Sequence, residues 1–151
     1  MTEVLFYHLE GPPLERVLPR ILELCVARGW RTVVETGSPE RRDALDAHLW
    51  TYTDESFLPH GTRADGDPEG QPVYLTAEGD NPNGATVRVL ADRAPLPADI
   101  TPYQRIVLIF DGNDPEAREQ ARNDWRTVSR GEGHTASYWR QDAAGRWSKV
   151  R

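Results

Sequence analysis

Cysteine is all but missing. Cys25 is the only one in 151 residues, which excludes a disulfide within the chain and a cysteine-built metal site. It lies at helical spacing from Leu18, Ile21 and Leu22 and reads as a reduced, buried thiol rather than a nucleophile. Long apolar runs are missing too, since none approaches the roughly 18 residues that a bilayer-spanning helix needs. The opening MTEVLFYHLE is short and acidic where a signal peptide is basic and then apolar, so the expectation is a cytoplasmic protein with no membrane partner. Positive charge is in deficit: 18 Lys and Arg face 24 Asp and Glu, for a net charge of −6. That balance argues against direct nucleic-acid binding through bulk electrostatics, and any anionic ligand needs a local basic site.

The usual equipment for chemistry is also absent. Neither a G-x-x-x-x-G-K nor a G-x-G-x-x-G loop occurs, so a nucleotide has no ready cradle. The four histidines (His8, His48, His60 and His134) show no metal-ligand spacing. Ser56 lacks the flanking glycines of a nucleophile elbow. The expectation is therefore no cofactor, no metal and no catalytic residue.

What is present is a regular alternation of elements. The run Val4–Leu9 fits a buried strand stopped by Gly11-Pro12-Pro13. Leu14, Val17, Leu18, Ile21, Leu22 and Cys25 then recur at helical spacing as far as Gly29. A strand at Thr32–Val34 precedes a second helix, with Ser38 as cap, Pro39 in first position and an end near Trp50. This βαβα order points to an α/β sheet with parallel strands. After a polar loop over 61–71, strands are predicted at 71–76, 86–90 and 105–110, the last apolar enough to be covered on both faces. A final helix over about 114–131 and a terminal hairpin around Ala144-Gly145 complete a single domain spanning 1–151, with no internal repeat.

Three segments are candidates for function. In the last helix Arg118, Arg122, Arg126 and Arg130 recur every four residues, while Ala117, Ala121 and Val128 define an apolar face with Trp125 at its edge. Guanidinium forks beside an indole suit an acidic peptide ending in a bulky residue; the same pattern also describes a solvated stripe over a core tryptophan. The segment from Leu45 to Gly61 carries Trp50, Tyr52, Phe57 and Leu58 into irregular structure, either as core or as aromatic anchors for a partner. Asp111 and Asp114 follow a buried strand, where they could hold a metal for a phosphoryl-handling enzyme, yet Asp114-Pro115 equally reads as a helix cap.

Several separated blocks, taken together, resemble the chi subunit of the bacterial DNA polymerase III holoenzyme. They are Phe6-Tyr7-His8-Leu9, Arg28-Gly29-Trp30-Arg31, Leu49-Trp50, Glu55-Ser56-Phe57-Leu58-Pro59-His60-Gly61, Gln71-Pro72-Val73, Asn81-Pro82-Asn83-Gly84, Phe110-Asp111-Gly112 and Tyr138-Trp139. The resemblance implies a Rossmann-like three-layer α/β/α sandwich, with a mostly parallel sheet and no phosphate-binding loop. It implies a non-catalytic accessory subunit of the clamp-loader assembly, which bridges the replicase to single-stranded-DNA-binding protein by gripping that protein's acidic, Phe-terminated tail. Carried over by motif, the tail site would comprise Arg122, Trp125 and Arg126, with Arg118 one turn before them. A second surface at Trp50, Phe57 and Leu58 would dock a psi subunit or another clamp-loader component.

Overall fold

A computed structural model describes residues 1–53 and 57–151, so Asp54, Glu55 and Ser56 of the E-S-F-L-P-H-G block lie outside the described residues. The elements are β1 (Thr2–Leu9), α1 (Leu14–Ala27), β2 (Thr32–Glu35), α2 (Pro39–Thr51), β3 (Val73–Thr76), β4 (Val87–Leu90), β5 (Arg105–Asp111), α3 (Pro115–Arg130), β6 (His134–Gln141) and β7 (Trp147–Lys149). They build a seven-stranded sheet in the order β3-β2-β4-β5-β1-β6-β7. Every pairing is parallel except that of β6 with β7.

The sheet is covered on both faces, which gives three layers. Leu18, Leu22 and Cys25 of α1 and Leu45 and Leu49 of α2 pack with Val34, Val89, Val107 and Ile109 on one side. Ala117, Ala121 and Val128 of α3 pack with Val4, Phe6, Ile106 and Leu108 on the other. Alternate residues of each strand feed alternate layers, as a pleated strand buried on both faces requires. No helix among the described residues is long and apolar enough to cross a membrane.

Local chemistry explains the helix ends. Ser38 Oγ accepts from Arg41 N at 3.2 Å, with Pro39 behind it. Pro19, inside α1, has no N–H to give the carbonyl one turn back, at Glu15. His48 Nε2 donates to that Glu15 oxygen at 2.6 Å, so the vacancy in one helix becomes a bond to the next. His134 Nε2 likewise donates to the Val128 oxygen at the end of α3.

The loop over 61–71 proves more regular than its composition suggests. Thr62 Oγ1 accepts from Ala64 N, and Asp65 Oδ2 accepts from Thr62 N at 2.7 Å, forming a reciprocal cap on one short 3₁₀ turn. Asp67 caps a second turn over Pro68–Gly70.

At the C-terminus the predicted hairpin is present, and β6 also lies parallel to β1, setting Tyr138 beside Phe6 and Trp139 beside Tyr7. One buried charge stands out. Arg88, fully buried on β4, meets Glu35 Oε1 with Nε at 3.2 Å and with Nη2. Its remaining N–H groups donate to the Asp80 and Glu78 carbonyls and the Tyr103 hydroxyl.

Candidate functional site

Asp114 Oδ1 accepts from Glu116 N at 3.0 Å and Ala117 N at 3.4 Å, which fixes the start of α3 and the rotation of its arginines. Arg118, Arg122, Arg126 and Arg130 are all exposed, while Trp125 is half-buried at the boundary. Its ring meets Phe6 edge-on at 5.2 Å and Tyr138 at 5.9 Å. The indole is thus held by its apolar side and open along one edge.

That edge faces a cleft of about 460 Å³ between α3 and the β1–β6 part of the sheet. Its floor is aromatic: His8, Phe110, Trp125 and Tyr138. His8 Nδ1 and the Tyr138 hydroxyl share a 2.6 Å hydrogen bond, and Phe110 and Tyr138 meet at 6.1 Å. Around this floor stand Arg118 and Arg122 from α3, Arg140 from β6 and Arg151 at the chain end, whose guanidinium lies 5.9 Å from the Trp125 ring. A bulky apolar group fits the floor and carboxylates fit the rim.

The electrostatics leave positive charge to spare. Among the described residues Glu10 is the one acidic side chain lining the cleft, and Arg140 already pairs with it, which holds its carboxyl below the ordinary range. His8 Nε2 lies 3.4 Å from Glu10, but burial pushes the imidazole below its usual value, which favours the neutral ring. Arg122 reaches Glu119 at 3.2 Å across solvent, an exposed pair of about 0–1 kcal/mol that an incoming carboxylate can displace. Among the described residues Arg118 is in no ion pair.

Of the four tail-site residues read from the sequence, the structure brings Arg118, Arg122 and Trp125 into this cleft. Arg126 does not line it; its Nη1 donates to Asn123 Oδ1 at 3.1 Å on the outer surface of α3. The sequence alone does not single out His8, Tyr138, Arg140 or Arg151 for this cleft. Alternation along β6 puts Tyr138 and Arg140 on one face, but nothing local shows that β6 pairs with β1.

The second predicted surface divides in two. Trp50 is 50% exposed and Phe57 73% exposed, with their rings 5.9 Å apart. Trp50 also rests on His60 at 4.5 Å, whose Nδ1 donates to the Leu58 carbonyl at 2.7 Å. Leu58 itself corrects the reading: it is 2% exposed and belongs to the α1–α2 core, so it secures the segment and presents nothing to a partner.

Asp111 and Asp114 line a separate cleft of about 510 Å³ at the carboxyl ends of β1 and β5. Parallel sheets often bind ligands at such a place. Here its charges are spent internally: Arg41 spans Glu15 at 2.6 Å and Asp92 at 3.0 Å, Asp114 caps α3, and Asp111 Oδ1 accepts from Asn113 N. Among the described residues there is no group of three or more potential metal ligands.

Comparison with known proteins bears on the family. The family described as "DNA polymerase III chi subunit, HolC" matches residues 1–137. A "Probable DNA polymerase III subunit chi" from Rickettsia prowazekii (strain Madrid E) is 31% identical over 121 residues, covering 74% of this chain and 71% of the relative.

Proposed function

The chain belongs to the DNA polymerase III chi subunit family, an accessory rather than catalytic part of the replication machinery, and from that premise we propose that it joins the replicase to single-stranded-DNA-binding protein. The α3 cleft takes that protein's acidic C-terminal tail. Arg118, Arg122, Arg140 and Arg151 meet its carboxylates, while Trp125, Tyr138 and Phe110 receive the terminal aromatic side chain. Trp50 and Phe57 form the other face, which docks a psi subunit or another clamp-loader component. The observation that carries the reading is the pairing of four guanidinium groups with an aromatic floor in a chain whose net charge is −6.

Calorimetry with a peptide of the tail tests it. A contact of this size gives affinity on the order of micromolar that weakens as salt shortens the Debye length below about 10 Å. Arg122→Ala and Arg118→Ala each lower affinity about tenfold, the value of one charge-assisted hydrogen bond, with unchanged melting. Arg126→Ala, outside the cleft, costs less than about threefold through its longer-range attraction alone. Unchanged affinity in both Arg118→Ala and Arg122→Ala removes the assignment. Trp50→Ala and Phe57→Ala leave tail affinity intact and abolish capture of purified clamp-loader components; loss of tail binding in these two instead reverses the mapping of the faces.

A further inference from the structure

The opposite face of the same hairpin carries a third surface. Side chains alternate along β6, so Tyr138 and Arg140 face the α3 cleft while Trp139 and Gln141 face the α1 side of the sheet. No residue of β6 or β7 belongs to the core on that side, which α1 and α2 cover only as far as β1. The uncovered end is a groove of about 540 Å³ between α1 and the hairpin. Its floor is Tyr7, Ile21 and Trp139, with Leu24 and Trp147 on its walls. Leu24 is 54% exposed and Trp147 39% exposed, in a protein that otherwise leaves few large apolar side chains in water.

Charge identifies the occupant. Arg16 and Arg20, one helical turn apart, are exposed along the groove, and among the described residues neither is in an ion pair. Among the described residues no acidic side chain lines the groove, although the chain holds 24 acids against 18 bases. Lys149 lies over the Trp139 ring at 5.8 Å, adding a third cation. We propose that this groove docks an acidic peptide segment with bulky apolar side chains, at a site distinct from the α3 cleft. A single nucleic-acid strand fits less well. Lys149 already sits over Trp139 and Tyr7 packs on Trp147 at 4.9 Å, so the rings offer little free face for base stacking. The aliphatic lining of Val17, Ile21 and Leu24 suits side chains rather than bases.

The test selects peptides from a random display library on the full chain carrying Arg122→Glu, which closes the α3 cleft. The expected binders are rich in Asp and Glu and carry Trp, Phe or Leu. Titrated by fluorescence anisotropy, they lose about tenfold in affinity on Arg20→Glu, an exposed position whose change leaves the melting curve in place, and again on Trp147→Ala, which lowers the melting point only by the lost packing on Tyr7. Four results overturn the proposal: a selection that yields no binder, binders indifferent to both substitutions, an oligothymidylate that binds in a groove-dependent way where acidic peptides do not, or a dimer in sedimentation that those substitutions dissolve.

Discussion

Asp124 offers a sharp test of the packing under α3. The carboxylate lies partly buried next to Trp125, and among the described residues its Oδ2 has no hydrogen-bond partner. Burial pushes its pKa from 3.8 to about 6. Between those values the folded chain holds a proton that the unfolded chain has released. Stability is therefore full below the lower value, falls as pH climbs through the window, and levels off above the upper one. At about 1.4 kcal/mol per pH unit the difference is at most about 3 kcal/mol, and partial solvent access reduces it to about 1–2 kcal/mol. Asp124→Asn removes the ionisation with little change of shape. At pH 7.5 the variant should melt about 4 °C higher, since each kcal/mol moves the midpoint of a chain this size by about 2–4 °C. Urea titrations from pH 3.5 to 7.5 (roughly the window plus a margin on either side) should show the wild type losing that stability relative to the variant, other groups cancelling in the comparison. Parallel pH profiles with equal stability at pH 7.5 would refute the reasoning.

Two further outcomes follow from close contacts. Arg88→Ala strands Glu35 in the core and should cost about 3–5 kcal/mol in urea denaturation, whereas Arg88→Met combined with Glu35→Leu removes both charges and should recover most of the loss. Gly112→Ala puts a Cβ 2.0 Å from His8 Nε2 and 2.8 Å from the Leu9 carbonyl oxygen. It should displace the imidazole from Tyr138, destabilise by about 1–3 kcal/mol and weaken tail binding, read together by thermal melting and calorimetry.

The parts of this architecture visible in the sequence are those fixed by near neighbours. Ser38-Pro39 and Asp114-Pro115 mark helix starts whose caps are made within three residues, and the apolar run of β5 is buried on both faces as its composition implies. Trp125 lies at the border of the α3 apolar face because helical rotation alone determines that. What stayed hidden depends on pairing across long separations. Arg88, between Val87 and Val89, looks like a solvent-facing strand position until Glu35 arrives from 53 residues away. Leu58 shares its segment with exposed Phe57, and only the fold separates the two. Arg140 and Arg151 join the cleft because β6 lies along β1, a register with no local signature.

The placement of β1 has a consequence for biosynthesis. Both of its neighbours, β5 and β6, are encoded more than a hundred codons downstream of its first residues, whereas β2, β3 and β4 can pair among themselves before β5 is made. On the ribosome the amino-terminal strand therefore waits without a ladder until β5 (Arg105–Asp111) has emerged, the kind of delay that slows parallel sheets. The α3 cleft draws on His8 from the first strand and Tyr138 from the sixth, so it comes into being only once β6 has been added. A nascent chain that stops short of β6, though able to form half a sheet, has no such cleft to offer.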